Sequence, residues 1–266
     1  MTPFGQIHTK NIFEKLSSER IKHFLKEENQ CLIKVFDKTD STNSEAKRAL
    51  RDAINENAIF VAEEQTDGRG RRGKSFFSPN SCGLYFTAVL HPKITITDAT
   101  LITSAAAVVV CDILSKETKK HPQIKWVNDI FIDGKKVCGI LTEAVGFDTN
   151  LSSIIIGIGI NLTTEIFPNE LKDIAGCVGE PLDRNKLSAQ LFSELERICE
   201  RLPDKSFMER YRSYSLVLGK SITFSKNGIS YDAVAEDILD DGSLLVKTSF
   251  GEEMLLNSGE ISIKLD

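Results

Sequence analysis

The 266-residue sequence lacks the cysteine and histidine patterns that mark disulfide-rich or zinc-binding proteins. Its six cysteines lie far apart without a C-x-x-C pair, and most fall inside apolar runs. That distribution favours buried, reduced thiols over disulfide bridges or a zinc site. The four histidines are equally scattered, and none shares a helix face with another at metal-ligand spacing. We therefore expect a reduced protein with a cytoplasmic location.

Long hydrophobic runs are also missing. The longest mostly apolar stretch, residues 101–114, contains Thr103, Ser104 and Asp112 and is too short to span a bilayer. The N-terminal residues have no apolar core of the kind that signal peptides carry. The hydrophobic content of 41%, the charged content of 27% and the net charge of −5 are ordinary for a soluble globular protein. Composition therefore argues against a membrane protein and against a broad nucleic-acid surface.

Against this acidic background, residues 68–75 (GRGRRGKS) carry four cationic side chains among three glycines. Glycine lets the backbone approach a ligand closely, and arginine donors match the geometry of carboxylate and phosphate oxygens. The segment predicts a site for a small anionic ligand. Taken alone, it is also compatible with a solvated surface loop.

The same segment matches the phosphate-binding P-loop pattern G-x-x-x-x-G-K-S. A P-loop requires a strand immediately before the motif and a helix immediately after it. Five residues separate the apolar strand predicted at residues 58–62 from Gly68, and residues 76–83 contain Pro79 and show no helical periodicity. We therefore consider a P-loop ATPase a weaker interpretation of this segment.

Hydrophobic periodicity predicts an α+β main domain followed by a small β-rich domain. Helices are predicted at residues 10–29, 46–54, 98–119 and 184–202, and strands at residues 31–37, 58–62, 83–90, 123–127, 130–132, 135–141 and 153–162. Five short strands with tight turns after residue 218 predict a β-barrel. We expect one domain over residues 1–217, beginning with a helical extension of residues 1–30, and a second over residues 218–266.

Two shorter motifs have both a structural and a functional interpretation. Thr42 and Glu45 predict a capping box at a helix start, yet the hydroxyl and amide groups of residues 41–43 also offer hydrogen bonds to a polar ligand. Residues 125–129 (KWVND) predict a strand end with an Asx turn, or side chains placed to bind a nucleotide or a cation.

Two strand features are similarly ambiguous. Lys136 follows the predicted hairpin turn Asp133-Gly134 and would lie opposite Phe131 in a simple register, where a lysine is usually a solvated edge residue. Gly157 and Gly159 weaken a predicted strand, which indicates close approach by a ligand or by a second segment of backbone.

Taken together and in this order, the motifs resemble the biotin protein ligase family over roughly residues 36–264. They are D-S-T-N (40–43), E-Q-T-D-G-R-G-R-R-G (64–73), S-P (78–79), G-L-Y (83–85), K-W-V-N-D (125–129), K-V-C-G-I-L-T-E (136–143), G-I-G-I-N-L (157–162) and G-E-I-S (259–262). Each is weak alone, whereas the ordered set is specific. The resemblance implies a mixed β-sheet with flanking helices, of the class II synthetase and biotin–lipoate ligase type, plus a small C-terminal SH3-like β-barrel.

The resemblance also implies an activity. Members of the family join biotin to ATP, release pyrophosphate and hold biotinyl-5′-adenylate, then transfer biotin to one lysine of a biotin carboxyl carrier domain. The carrier would belong to acetyl-CoA carboxylase or a related carboxylase. Mg²⁺ would accompany the phosphates, and the sequence does not identify its protein ligands.

Site residues follow from the resemblance position by position. The implied biotin-binding residues are Ser41, Thr42, Asn43, Gln65, Arg69, Gly70, Arg71 and Lys136. The implied nucleotide-binding residues are Lys74, Trp126, Asn128, Asp129 and Asn161. The implied catalytic residues are Arg69, Arg71 and Lys136.

These residue types suit the implied chemistry, because a carboxylate that attacks a triphosphate brings like charges together. Fixed cations and Mg²⁺ stabilise charge where it redistributes. A loop that orders only over bound ligand would protect the adenylate from water, so we predict that residues 66–76 are mobile without ligand. Asp67 stands where small residues are common in the family, and its role is open, as is that of the N-terminal extension.

About 40 residues precede Ser41, too few for the DNA-binding module of many bacterial members. We therefore expect no repressor activity, no nucleic-acid partner and no membrane partner, while a homodimer is an arrangement that the resemblance allows. A biotin-binding protein without turnover and a lipoate ligase or acyltransferase are the alternative functions. The loop arginines and Lys136 argue against the first, since the neutral rings of biotin do not need them, and the glycine–arginine loop favours biotin over lipoate.

Overall fold

The computed structural model describes residues 13–94, 101–147 and 150–263 of the chain. The strands are β1 (Leu32–Phe36), β2 (Ala58–Ala62), β3 (Gly83–Leu90), β4 (Gln123–Lys125), β5 (Asp129–Ile132), β6 (Lys135–Phe147), β7 (Asn150–Asn161), β8 (Ser221–Lys226), β9 (Ile229–Ile238), β10 (Leu244–Thr248), β11 (Glu253–Leu256) and β12 (Ile261–Ile263). The helices are α1 (Ser18–Phe24), α2 (Thr42–Arg51), α3 (Ile102–Glu117), α4 (Arg184–Glu200) and α5 (Phe207–Ser213), with single 3₁₀ turns at Arg71–Gly73 and Leu202–Asp204.

The main sheet has seven strands in the order β1-β2-β3-β7-β6-β5-β4. Strands β1 and β2 run parallel and the other neighbours run antiparallel, which confirms the predicted mixed sheet. The hairpin between β5 and β6 turns at Asp133 and Gly134, whose φ angles of 51° and 74° suit a primed two-residue turn. Its register pairs Phe131 with Lys136, as the sequence predicts.

Helices cover both faces of this sheet. Every residue of β3 is buried, and the isoleucines of β7 are buried beside it. On one face, α3 and α4 pack against the sheet and contribute many of the side chains of the main core. On the other, α2 places Ala46 and Ala49 against Phe60 and Ile155 in a smaller cluster. Each fully buried valine, leucine, isoleucine or phenylalanine side chain contributes about 1.5–3 kcal/mol, so packing on both faces fixes the position of the sheet and of the start of α2.

The C-terminal strands form a second, antiparallel sheet in the order β11-β10-β9-β8-β12. Its buried side chains, including Ile222 and Val246, belong to the same continuous core as the main sheet. The indole Nε1 of Trp126 donates to the Gly242 carbonyl over 3.0 Å, which ties the two sheets together beside β4. All five predicted strands are present, whereas closure into a barrel and the boundary after residue 217 stay predictions.

The start of α2 differs from the sequence prediction. The predicted capping box between Thr42 and Glu45 is wrong: Ser41 is the N-cap residue and makes no side-chain capping bond. The Thr42 hydroxyl instead donates to the Gln65 Oε1, 23 residues away in sequence, and Glu45 accepts from the Thr39 hydroxyl at 2.6 Å. Long-range partners thus replace the local cap.

In the N-terminal region the structure describes one helix, α1, within the predicted helical segment 10–29. Residues 10–12 of that segment, and residues 98–100 of the predicted helix 98–119, lie outside the described residues. Across the described ranges, we find no helix that is long and apolar enough to cross a membrane.

Candidate functional site

A cavity of about 410 Å³ opens between the start of α2, the basic loop of residues 68–75, the β5–β6 hairpin and the segment that leads into β12. All of the residues named from the sequence line this cavity: Ser41, Thr42, Asn43, Gln65, Arg69, Gly70, Arg71, Lys74, Trp126, Asn128, Asp129, Lys136 and Asn161. They come from six separate parts of the chain, and the fold brings them together at one place.

At the start of α2, Thr42 and Gln65 fix each other. The Thr42 backbone N–H and hydroxyl both approach the Gln65 Oε1, at 2.8 Å and 3.1 Å. The Gln65 Nε2 then donates to the Ser78 hydroxyl at 2.9 Å. Because both ends of the amide are held, its orientation is set before any ligand arrives, and the site presents fixed polar groups here.

Asn43 is held in the same way from the sheet. Its Oδ1 accepts from the Thr87 hydroxyl at 2.7 Å, and its Nδ2 donates to the Glu143 carboxylate at 3.2 Å. A Cβ atom at Gly157 would lie 2.1 Å from the Asn43 Oδ1. The group that approaches this glycine closely is therefore a side chain of the site, whereas the sequence predicted a ligand or a second segment of backbone.

Gly159 has a comparable role under the aromatic end of the basic loop. A Cβ atom there would lie 2.5 Å from the Phe76 ring, and one at Gly139 would lie 3.4 Å from the same ring. Gly139 and Gly159 are direct partners across β6 and β7. The floor of the cavity is flat at this point because neither strand carries a side chain, and the Phe76 ring rests on it.

The basic loop is a folded turn and not a P-loop. The Gly70 N–H donates to the Lys74 carbonyl at 2.7 Å, and the Phe76 N–H donates to the Gly68 carbonyl at 2.7 Å. The 3₁₀ turn between them holds Arg72 at a φ of 55°. Residues 74–82, all described, contain no helix, so the helix that a P-loop requires is missing.

Arg71 lines the cavity and bonds to the turn between β4 and β5, which belongs to the K-W-V-N-D motif. Its Nη1 donates to the Asn128 Oδ1 at 3.1 Å, while the Asn128 Nδ2 donates to the Ile140 carbonyl at 3.0 Å. Burial of the guanidinium, with the charge of Arg72 nearby, lowers the pKa of Arg71. Because its partner is a neutral amide, the positive charge of Arg71 stays available to an anionic ligand.

Two lysines of the site are ion-paired. Lys136 Nζ lies 2.7 Å from the Asp129 carboxylate, and Lys74 Nζ lies 2.8 Å from the Glu260 carboxylate. The hydrogen bond from Lys74 lowers the pKa of Glu260. The second pair joins the basic loop to the C-terminal sheet, although both of its side chains are largely exposed, so it contributes little to stability.

Asn161, the last residue of β7, has one satisfied and one unsatisfied polar group in its side chain. Its Nδ2 donates to the Gly176 carbonyl at 3.0 Å, whereas its Oδ1 is buried and has no hydrogen-bond partner among the described residues. A buried acceptor without a donor is costly, so a ligand N–H that reached it would be favoured. Trp126 also lines the cavity, and its indole N–H already donates to the Gly242 carbonyl.

Sequence reasoning missed two sets of lining residues. Lys125 and Arg72 line the cavity, although no site role was predicted for either residue. Both belong to the family motifs, and their positive charge was a sequence feature that could have indicated a role in binding an anion. Residues 163–176 gave neither a helical nor an alternating pattern, yet they supply Phe167, Leu171, Ile174 and Ala175. This segment also holds Lys136, whose N–H donates to the Ile174 carbonyl at 2.8 Å and whose carbonyl accepts from Gly176 at 2.9 Å.

The carboxylates that line the cavity are Asp129 and Glu260, each already paired with a lysine. In the part of the chain that the structure describes, no group of three or more histidine, cysteine, aspartate or glutamate side chains could hold a metal ion. A dedicated protein cage for a metal is therefore not built here. Mg²⁺ that arrives with phosphate oxygens as most of its ligands needs only one or two carboxylates.

Comparison with known proteins gives a consistent result. The biotin/lipoate A/B protein ligase family matches residues 35–161. The bifunctional ligase/repressor BirA of Bacillus subtilis is 33% identical over 248 residues, covering 89% of this chain and 76% of that protein. The biotin–[acetyl-CoA-carboxylase] ligase of Paracoccus denitrificans is 28% identical, covering 82% of this chain and 95% of that protein.

Among solved structures, the biotin protein ligase of Aquifex aeolicus in complex with biotin and ATP superimposes with a TM-score of 0.74 and 26% identity, covering 88% of this chain and 99% of that one. Sequence and fold therefore agree over most of the molecule. The chain belongs to the biotin protein ligases of the biotin/lipoate A/B protein ligase family.

Proposed function

We propose that this chain is a biotin–[acetyl-CoA-carboxylase] ligase, which activates biotin with ATP and transfers it to one lysine of a carrier domain. The observation that supports this most directly is the convergence of the basic loop, Lys136 and the start of α2 on one cavity. The Aquifex aeolicus protein of the same fold was solved with biotin and ATP. Both substrates need a place in a single site, because the carboxylate of one must reach the α-phosphate of the other.

In this proposal the start of α2 receives the biotin head group. Thr42, Asn43 and Gln65 are polar, buried or half-buried, and fixed by bonds to the sheet, so they offer a preformed hydrogen-bonding surface. The Asn161 Oδ1 supplies an acceptor on the nucleotide side. Positions fixed before binding favour specificity, since little ordering entropy remains to be lost when the ligand enters.

The first chemical step forms a mixed anhydride. A carboxylate oxygen of biotin bonds to the α-phosphorus of ATP, the bond from that phosphorus to the bridging oxygen breaks, and pyrophosphate leaves with the electron pair. Lys136 and the loop residues Arg69 and Arg71 would lower the repulsion between the two anions. Loss of one such donor typically lowers the rate by about 10²–10³-fold.

The second step releases AMP. The neutral amine of an acceptor lysine bonds to the biotinyl carbonyl carbon, the bond from that carbon to the phosphate oxygen breaks, and the amine proton passes to solvent. The product is an amide, and AMP leaves as an anion that the same cations stabilise. The loop must open for this step, since the acceptor lysine enters from outside.

Mg²⁺ would supply charge neutralisation on the departing pyrophosphate. The residues present fit a cation that is carried by the triphosphate, because Asp129 and Glu260 are the two carboxylates on the cavity wall and each could supply an oxygen ligand beside the phosphates.

The proposal also covers domain division, location and partners. The division into a catalytic domain of residues 1–217 and a C-terminal domain of residues 218–266 accompanies it, as does a cytoplasmic location, which the six free cysteines support. The only activity that we propose is that of the ligase. The proposal includes no nucleic-acid partner and no membrane partner. The homodimer stays a prediction.

A mass measurement tests the activity. A biotin carboxyl carrier domain is incubated with the chain, biotin and MgATP, and a gain equal to one biotinyl group on one lysine is expected. The Lys136→Met variant is the negative control. Lipoate in place of biotin tests whether the chain also acts as a lipoate ligase. If no acceptor gains mass and biotin-dependent pyrophosphate exchange is also absent, the proposal is wrong; exchange without transfer would point to the wrong acceptor.

A further inference from the structure

The motif K-V-C-G-I-L-T-E (136–143) ends in an acidic residue to which the ligase site gives no role. Glu143 lies on β6, the strand that carries Lys136, and its side chain does not line the cavity. Both of its carboxylate oxygens bond to α2. Oε2 accepts from the Asn43 Nδ2 at 3.2 Å, and Oε1 lies 2.6 Å from the Lys47 Nζ. Because Asn43 and Lys47 are one helical turn apart, Glu143 ties the start of α2 to β6.

Glu143 also decides which way the Asn43 amide points. Asn43 is buried, and the oxygen and nitrogen ends of its amide have nearly the same shape. A carboxylate only accepts hydrogen bonds, so it selects the orientation in which Nδ2 faces Glu143 and Oδ1 faces the Thr87 hydroxyl. In the opposite orientation the amide oxygen would face the carboxylate, and two acceptors would meet without a proton between them, which is unfavourable.

The orientation of this amide matters for the surface that a ligand meets. The Thr87 hydroxyl lies 2.7 Å from the Asn43 Oδ1 and 2.8 Å from the Thr42 hydroxyl. Thr42 and Asn43 line the cavity, whereas Thr87 and Glu143 lie behind its wall. Donors and acceptors at the start of α2 are therefore arranged by side chains that a ligand in the cavity does not touch. A buried polar network of this kind specifies one arrangement only while each member has its partner.

The two contacts of Glu143 differ in their surroundings. Asn43 is 5% exposed, whereas the side chains of Lys47 and Glu143 are 35% and 28% exposed. Water reaches the ion pair, so its net contribution to stability is small. The hydrogen bond to the buried amide is the contact of Glu143 with the larger consequence for the cavity, because an unsatisfied polar group is costly there.

We propose that Glu143 is a positioning residue for biotin, which acts through the Asn43 amide and does not touch the ligand. The inference rests on the proposed ligase function, and it adds a residue to the biotin end of that site. With Glu143 in place, a single orientation of the amide faces the ligand before binding, so no binding energy is used to select it. Loss of the carboxylate admits both orientations and weakens biotin binding, while ATP binding stays unchanged.

Calorimetric titrations with biotin and with MgATP test the assignment. Glu143→Gln keeps the shape of the side chain but can donate as well as accept, so it permits both orientations of Asn43. This variant should bind biotin about tenfold more weakly and ATP as the parent does. Lys47→Met keeps the bond to Asn43 and should weaken biotin binding by less than about threefold. Glu194→Gln, which alters an exposed ion pair with Arg197, is the control and should bind both ligands normally.

A double-mutant cycle shows whether the effect passes through Asn43. Asn43→Ala removes the amide that Glu143 orients, and it should weaken biotin binding by itself. When Glu143→Gln is added to Asn43→Ala, we expect a further loss of less than about twofold, because nothing is left to orient. Independent effects would multiply instead. A full tenfold further loss would mean that Glu143 acts by another route, and the assignment would be overturned.

Two further outcomes overturn the assignment. One is parent-like biotin affinity in Glu143→Gln, and the other is an equal loss in Lys47→Met, which would make the ion pair responsible. Thermal unfolding and the ATP affinity of each variant separate a folding defect from a binding defect, and Glu143→Met is the second variant if the glutamine is unstable. Absence of biotin binding by the parent would overturn this inference and the ligase proposal together. Biotin binding without biotin-dependent pyrophosphate exchange would overturn the ligase proposal alone.

Discussion

At the scale of single residues, Lys136 shows how the site is assembled. Its side chain is held by the Asp129 carboxylate, and its main chain is held on both sides by the segment of residues 163–176. A flexible lysine is thereby restricted in both backbone and side chain before substrate binds. Preorganised charge of this kind acts most strongly where water is excluded, since no reorganisation is needed during the reaction.

Replacing Lys136 tests that charge. Lys136→Met should lower the rate of biotin-dependent pyrophosphate exchange by about 10²–10³-fold, because one fixed cation is lost where the anions meet. Lys136→Arg should recover part of the rate. Lys172→Met, an exposed lysine beside the cavity, serves as the control and should exchange at the parent rate. A Lys136→Met variant with normal exchange would contradict the assigned role.

A second prediction concerns Asp40, the residue before the N-cap of α2. Its carboxylate accepts from Arg48 at 2.6 Å and 3.1 Å and from the Ser41 N–H at 2.7 Å, and these bonds, led by Arg48, hold its pKa well below the usual range. A lowered pKa in the folded state means that the carboxylate stabilises the fold above the unfolded pKa of about 3.9, and that this stability is lost as the pH falls below it.

The Asp40→Asn variant should therefore be less stable than the parent at pH 7, and the difference should shrink at pH 3. Because Asp40 and Arg48 are both about two-fifths exposed, at 41% and 42%, we expect an effect of no more than about 1 kcal/mol. Urea denaturation at both pH values measures it. Asp173→Asn is an exposed control, and an equal loss for Asp40→Asn at both pH values would contradict the account.

At the scale of elements, the basic loop combines a folded tip with few buried contacts. Backbone bonds close the turn at Gly70 and Gly68, and the Thr66 and Asp67 N–H groups donate to the Thr39 and Asp40 carbonyls at 2.9 Å. The side chains of Arg72 and Lys74 remain exposed. Regions with few buried contacts open most easily, which is the physical basis for the predicted mobility.

The rate of cleavage by trypsin measures that mobility, since the loop carries three arginines and a lysine. Cleavage within residues 66–76 should be fast for the free chain and slowed at least about tenfold by biotin plus MgATP, because ligand phosphates would pair with the loop cations. Biotin plus AMP is the control, and it should protect less. Equal cleavage with and without both substrates would count against an ordering loop.

Gly157 provides a test of the wall behind Asn43. In Gly157→Ala the new methyl group would displace the Asn43 amide from the Thr87 hydroxyl. We expect a loss of about 1–3 kcal/mol of stability and at least about tenfold weaker biotin binding, with ATP binding unchanged. The double variant Asn43→Ala, Gly157→Ala should regain stability but not biotin affinity. Recovery of both would show that Asn43 does not bind biotin.

Local sequence signals predicted most elements and failed where long-range contacts decided the outcome. Alternation and the Asp133-Gly134 pair were sufficient for the β5–β6 hairpin, since turn chemistry and register are local properties. The capping box failed because Gln65 lies close to Thr42 only in the folded chain. Residues 163–176 gave no signal, because their conformation is imposed by bonds to Lys136 and Asn161 and not by periodicity.

The candidate site itself was predicted more completely than its internal bonding. Every site residue that was named from the sequence lines the cavity. The ordered set of family motifs identified the chain segments that meet there. The order of the motifs does not predict which lysine pairs with which carboxylate. Lys125 and Asp129 belong to the same motif and are direct partners in the sheet, and yet the Asp129 carboxylate forms its ion pair with Lys136.

At the scale of the whole molecule, Arg184 joins three parts of the chain. Its guanidinium donates to the Glu63 carboxylate at 2.7 Å and to the Gly83 carbonyl at 3.4 Å, which are the two ends of the segment that carries the basic loop. It also donates to the Glu14 carbonyl at 3.1 Å and lies over the Phe13 ring. The N-terminal segment and the base of the loop therefore share one buried charge.

Removing that charge should destabilise the molecule as a whole. The pair is almost fully buried, with side chains 1% and 6% exposed, so Arg184→Met would leave the Glu63 carboxylate buried and unpaired. Such a loss costs about 3–5 kcal/mol, which equilibrium denaturation can measure. Arg197→Met breaks an exposed pair with Glu194 on the same helix and should cost less than about 1 kcal/mol. Similar losses in the two variants would refute the argument.

Trp126 is the only tryptophan of the sequence, and it is buried where the cavity wall meets the C-terminal sheet. The chain therefore contains a natural optical probe at its most informative junction. Light absorbed at the red edge of the protein spectrum is re-emitted from this one indole, so a shift in emission colour during a titration reports events at that boundary without any label.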